Sequence, residues 1–243
     1  MTVLVAGASG ATGWLVVEQL LNRGVNVRAI VRSPEKFYEF QHDHPQLSLI
    51  GASILDLSDS EMAQHVDGCD AVVSCLGHNL SLKGIYGQPR RLVTDATRRL
   101  CDAIRSNKSE NTCRFVLMNT TGNSNRDLKE PISYGQRFVF GLIRLLLPPQ
   151  VDNEKAADYL RIQIGQQQKA IEWVAVRPDD LIDEKIVGEY EVHPSPVRSA
   201  IFNAGKTSRI NVAHFMAELI TNDQSWDSWK GQMPVIYNVG KEA

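Results

Sequence analysis

The turn within residues 2–13, TVLVAGASGATG, constrains this chain more than any other stretch. Val3, Leu4, Val5 and Ala6 form an uncharged apolar run, the pattern of a strand buried on both faces of a sheet. Gly7, Gly10 and Gly13 follow at GxxGxxG spacing, and Trp14, Leu15, Val16, Val17, Leu20 and Leu21 then recur as one face of a helix. Residues 25–31 (VNVRAIV) read as a second strand, completing a strand, turn, helix, strand unit. In such a unit Gly7 permits the tight turn, Gly10 lets backbone approach a pyrophosphate, and Gly13 lets the helix pack close to the strand. The helix N-terminus, with Ser9, Ala11 and Thr12 around it, offers unpaired N–H groups and partial positive charge to phosphates.

A chain of 243 residues can bury a single large core, and 43% hydrophobic with 22% charged residues is ordinary for a globular protein. A net charge of −2 argues against nucleic-acid or membrane attraction and leaves a small molecule as the expected partner. Met1 leads straight into the first strand with no apolar signal segment before it, so a cytoplasmic location is expected. Cys69, Cys75, Cys101 and Cys113 form no CxxC pair and lie in no His-rich stretch, which predicts buried thiols and no metal site.

The residue after the second strand decides between cofactors. An NAD site of this kind places an Asp or Glu about 20 residues beyond the glycines, where it binds the ribose 2′-hydroxyl. Here Arg32 stands there, followed by Ser33 and Lys36, groups that suit a 2′-phosphate and predict NADP. Residues 47–50 read as a third strand; beyond it, Asp56 and Leu57 either face an adenine edge or, in the case of Asp56, cap a helix beginning near Ser58.

Residues 70–76 (DAVVSCL) read as a fourth strand whose end brings Cys75, Leu76, Gly77 and His78 beside the glycine turn. Residues 113–118 read as a fifth strand ending in Asn119, Thr120, Thr121 and Gly122, so an amide and hydroxyls emerge at the same carboxyl edge. The apolar block up to Pro149 suits a pocket wall, an oligomer contact or a core helix. A helix over 152–168, capped by Asp152 or Asn153, carries Lys155 in its first turn. A sixth strand over 171–176 ends in Arg177 and Pro178, and the remainder, including a helix over 211–221 and a strand over 235–239, should build a small lobe. The whole predicts one α/β domain over 1–243: a Rossmann-type doubly wound parallel sheet, with segments 131–149 and 179–243 on the substrate side. A monomer or a homodimer satisfies this reading.

Taken together, GASGATG, Arg32-Ser33, NTTG after the fifth strand, a Lys-bearing helix and WVAVRP resemble the atypical short-chain dehydrogenase/reductase superfamily. The likeness is to its single-domain NAD(P)H-binding branch, with flavin/biliverdin-type reductases and regulators of the nitrogen-metabolite-repression type. The resemblance implies that a Ser or Thr orients the acceptor's carbonyl, a Tyr gives the proton, and a Lys four residues on holds the nicotinamide ribose. Thr120, with Thr121 second, matches the hydroxyl and Lys155 the Lys, but Val151 stands where the Tyr belongs. Tyr134 is followed four residues on by Phe138, so the proton donor is left among water, Tyr134, His78 and the substrate. Asn119 and Pro178 match the family's cofactor contacts. The resemblance implies an NADPH-dependent reductase of a flavin, quinone or ketone, or alternatively a non-catalytic NADP-binding redox sensor.

Overall fold

A computed structural model describes residues 1–79, 81–107, 111–130 and 133–240. The strands are β1 (Thr2–Ala6), β2 (Asn26–Val31), β3 (Leu47–Gly51), β4 (Ala71–Ser74), β5 (Cys113–Met118), β6 (Ile171–Pro178), β7 (Asp180–Ile182), β8 (Tyr190–His193), β9 (Lys206–Ser208) and β10 (Val235–Asn238). The helices are α1 (Ala11–Leu21), α2 (Tyr38–Asp43), α3 (Asp59–Val66), α4 (Leu82–Tyr86), α5 (Leu92–Ser106), α6 (Tyr134–Leu146), α7 (Pro148–Asp158), α8 (Arg209–Thr221) and α9 (Asp223–Trp229).

The main sheet runs β3-β2-β1-β4-β5-β6-β10-β8, and all its pairings are parallel except that of β10 with β8. The strand alternation sorts the core into two layers. Val3 and Val5 face α1 and α8, where Val16, Val17, Leu20, Val212, Met216 and Ile220 pack. Leu4 and Ala6 face the other way, toward Met62 of α3, Val93 and Leu100 of α5, and Ala156 of α7. The order of the strands reverses between β1 and β4, and at such a switch point the carboxyl ends leave a crevice for a ligand.

Three expectations need correction. The strand at 235–238 belongs to the main sheet rather than to a separate lobe; its apolar run Val235, Ile236 and Tyr237 is fully covered, as an interior strand requires. The Lys-bearing helix begins at Pro148, with prolines at its first positions where no N–H partner is needed, so Asp152 is not its cap and Lys155 is not in its first turn. After α7 the chain continues as a π-helical turn over Tyr159–Ile164 and stops at Gly165, whose φ of +65° breaks the helix. The apolar block is not a core helix either. Only Gln136 and Phe140 of α6 are buried, because this helix meets the body along one narrow line.

Candidate cofactor and active site

At the end of β1 the backbone is shaped by what cannot fit. Gly7 has φ +77°, and a Cβ there would lie 2.8 Å from the carbonyl carbon and oxygen of Cys75. A Cβ on Gly13 would run into the carbonyl oxygen of Gly7, so α1 can start this close to β1 only with glycine. The Gly10 N–H donates to Gly7 O at 3.0 Å and the Trp14 N–H to Gly10 O at 2.9 Å. Gly10 is the N-cap and supplies no capping side chain. Among the described residues the N–H groups of Ala11, Thr12 and Gly13 therefore donate to no protein acceptor, the arrangement that binds a phosphate. Ser9 and Ala11 are exposed beside them, while Thr12 is buried.

Beyond β2, Arg32 and Lys36 are exposed and Ser33 is half-buried; among the described residues none of the three side chains has a recorded hydrogen bond or ion pair. The loop that carries them is nonetheless fixed. Phe37 stacks on Trp14 of α1 at 4.6 Å, Phe40 meets the same indole edge-on at 4.6 Å, and His44 stacks on Phe40 at 4.0 Å. Beyond β3, Ser58 caps α3 in a reciprocal box with Glu61, so Asp56 is not the cap. Asp56 is exposed and Leu57 buried. Arg99 of α5 holds this turn by donating to the carbonyl oxygens of Ile54, Leu55 and Leu57. Sequence reasoning missed Arg99, which lies in an ordinary amphipathic pattern.

The segment after β4 is anchored rather than free. His78 Nε2 lies 2.7 Å from Asp152 Oδ2 and Nδ1 3.2 Å from Gly84 O, so neither ring nitrogen is left for a substrate. The His78 side chain is 5% exposed and that of Asp152 1%. The same carboxylate accepts the Val93 and Thr94 N–H groups at 2.8 and 3.0 Å, and the Thr94 hydroxyl at 2.6 Å. Asp152 thus caps α5 from another helix, since Arg91 at the N-cap gives no side-chain bond. The readable signal was a helix start, QPRR, with no Ser, Thr, Asp or Asn in it. Cys75 is no nucleophile: burial pushes its thiol up to about 12. Leu76 packs against the α3/α5 core, and Gly77 is exposed with open space where a side chain would stand.

The hydroxyls after β5 have unequal freedom. Asn119 donates to Asn153 O at 3.0 Å and its side-chain oxygen accepts the Thr120 N–H at 2.9 Å, so its amide is spent on the turn. Thr121 donates to Asp179 Oδ1 at 2.9 Å, and Gly205 N–H donates to Asp179 Oδ2 at 2.8 Å. Burial outweighs these bonds and raises the Asp179 carboxyl above the usual range. Thr120 Oγ1 accepts the Gly122 N–H at 3.2 Å and donates to no protein group among the described residues, so its own proton is free. Pro178 closes β6, its carbonyl accepting the Thr121 N–H.

Lys155 is exposed and has no recorded partner among the described residues. Its carboxylate neighbours are taken: Glu154 by Arg144 at 2.8 Å and Asp158 by Arg126 at 2.7 Å. Tyr134 opens α6 and is 91% exposed, capped by Ser133 Oγ accepting the Gln136 N–H. The inner side of α6 brings Phe140 to Gly122 and Gln136 to Ser199, while Gly135 at the edge of the outer face meets Phe202, so α6 and the 199–202 loop meet beyond β5. Pro131 and Ile132 lie outside the described residues.

The model of a family described as NAD(P)H-binding matches residues 7–223. The chain belongs to that family. An uncharacterized chloroplastic protein of Arabidopsis thaliana is 28% identical over 223 residues, covering 92% of this chain and 73% of the plant protein. Two solved structures share the fold. ChuY, an anaerobillin reductase from Escherichia coli O157:H7, is 16% identical with TM-score 0.68, covering 100% of each chain. A wide-type short-chain dehydrogenase/reductase from Veillonella parvula in complex with NADP is 13% identical with TM-score 0.70, covering 100% of this chain and 96% of that one. These neighbours share the fold, and the sheet is Rossmann-like, as the sequence predicted.

Proposed function

We propose that the protein is an NADPH-dependent reductase that delivers hydride to a small conjugated or carbonyl acceptor. The observation that carries this reading is a set of polar groups that, among the described residues, have no protein partner. These are the bare N–H groups of α1, the free Arg32, Ser33 and Lys36 after β2, and the free Lys155 on α7. They suit in turn a pyrophosphate, a 2′-phosphate and a ribose. The NADP in the Veillonella structure and the reductase activity that ChuY's name gives it support the same reading.

NADPH, when bound, supplies the hydride; the chain holds and orients the reactants. The α1 N-terminus neutralises the pyrophosphate, and Arg32 with Ser33 selects the phosphorylated ribose. Thr120 is the hydroxyl left free to donate a hydrogen bond to an acceptor oxygen as negative charge develops there. With both nitrogens of His78 engaged and Tyr134 pointing into solvent, the proton comes from water or from the acceptor's own ring system. Flavins and quinones take up hydride with little help from a protein acid, which makes them the acceptors to try first.

NADPH oxidation is expected with a panel of flavins and quinones, and absence of turnover with every one would overturn the reading. Arg32→Ala should weaken NADPH binding by roughly 10- to 100-fold, the worth of one charge-assisted bond, with NADH affinity unchanged. Fluorescence titration with both cofactors checks this; equal native affinities for NADPH and NADH would remove Arg32 from the site. Lys155→Met should raise the NADPH dissociation constant by roughly tenfold and alter saturated turnover far less, because ribose is held alike in ground and transition states. Unchanged affinity would return Lys155 to the solvated surface.

A further inference from the structure

The turn of α6 that faces away from the protein is apolar. At 100° per residue Tyr134, Phe138, Leu142 and Leu145 lie along one stripe, opposite the buried Gln136 and Phe140. These four and Leu146 are between 43% and 91% exposed. Phe202, 64% exposed, extends the stripe, its ring 3.5 Å from where a Cβ on Gly135 would stand. A row of large apolar side chains in water carries an unfavourable hydration cost that a lone surface leucine does not, so this row has an occupant.

Charge identifies it. From Ser133 to Gln150 there is no Asp or Glu, and the charged residues are Arg137 and Arg144. Arg144 is tied to Glu154, whereas Arg137 has no side-chain partner among the described residues. Nor, among the described residues, has Arg198, one residue from the Ser199 that hydrogen-bonds Gln136 at the start of α6. A second copy of this chain docked two-fold on the stripe would set arginine against arginine with no acid on the stripe to meet them. A partner helix of another protein needs a groove, and this surface is a convex ridge; nothing lies within 4 Å of where a side chain on Gly141 would stand. A convex apolar stripe with aromatic residues, flanked by unpaired cations, matches a helix lying in the interface of an anionic bilayer.

We propose that α6 and the 198–202 loop seat the protein on the surface of an anionic lipid bilayer. This does not conflict with the whole-chain charge of −2, because the imbalance is local, nor with the absence, among the described residues, of a helix long and apolar enough to cross a membrane. The test is co-sedimentation of the full chain with vesicles of phosphatidylglycerol and, separately, of phosphatidylcholine. Binding to the former, weakened by salt, and much less to the latter is expected. The double variant Phe138→Ser, Leu145→Ser should lower the partition coefficient by roughly tenfold or more, since both side chains already face solvent and their loss leaves the fold intact. Unchanged NADPH affinity of the variant confirms that it is folded. Arg137→Gln with Arg198→Gln should lower the preference for phosphatidylglycerol. Native protein that stays in the supernatant with both lipids overturns the proposal. So does a variant that sediments like the native chain, or a native dimer that the Ser substitutions convert to monomer.

Discussion

Arg177→Met is expected to lower the unfolding free energy by about 3–5 kcal/mol, the usual effect of breaking a buried ion pair by removing one partner. For a domain of this size that is a fall in Tm of roughly 6–20 °C. Arg177 is fully buried, and each of its N–H groups has an acceptor. Nε donates to Met233 O at 2.7 Å, and Nη1 to Asn123 O at 2.8 Å and Glu130 Oε2 at 3.2 Å. Nη2 donates to Glu130 Oε1 at 2.7 Å and Pro194 O at 3.3 Å. One side chain therefore joins the loop after β5, the loop after β8 and the approach to β10. Without it the Glu130 carboxylate, 3% exposed, is left as an unpaired buried charge. In a thermodynamic cycle with Glu130→Gln, the double variant should be less destabilised than the sum of the singles. Additive losses, or a loss for Arg177→Met below about 1 kcal/mol, would show that the pair is not a clasp.

Asp152→Ala should be comparably costly, about 3–5 kcal/mol, because it removes a helix cap and a buried partner of His78 together. Four donors converge on this carboxylate: the Val93 and Thr94 N–H groups, the Thr94 hydroxyl and His78 Nε2. Asp152→Asn should fall between native and Ala, since the amide keeps one acceptor oxygen and turns a donor toward the second site. Urea denaturation gives the ranking. Hydrogen exchange locates it: the amides of Val93 and Thr94 should lose protection before the sheet does. Equal stability of Asp152→Ala and the native chain would reduce the group to a packing contact.

These two residues mark where the sequence could be read and where it could not. The glycine spacing announced the β1 turn because glycine is the answer to a local steric problem, visible wherever it occurs. That Arg32 directly follows β2 was legible for a similar reason, since its position is counted along the chain from that turn. β5 was legible to the residue, its apolar run bounded by polar turns on both sides. The role of Asp152 was not, because the donors it satisfies lie 58 and 59 residues away and nothing local to position 152 records them. The same spacing argument placed it as a cap of its own helix, while two prolines had already begun that helix at 148. Arg177 was read as a family marker; its partner Glu130 is 47 residues distant in the chain. Of the apolar block, composition gave only its apolarity. Which side faced water depended on how little of the body α6 touches.

The position of β10 between β6 and β8 bears on how the molecule is made. β8 precedes β10 in the chain by some forty residues, yet among the described residues β10 is its one sheet neighbour. During synthesis, residues 190–193 must wait with open backbone until residues 235–238 have left the ribosome. The Arg177 N–H that donates to Met233 waits with them. The β6, β10 and β8 part of the sheet thus acquires its pairing only once residues 235–238 are made, whereas β1, β2 and β4 around the glycine turn are all made by residue 74. A nascent chain would have the glycine turn of β1 in place well before the β6, β10 and β8 part of the sheet is paired.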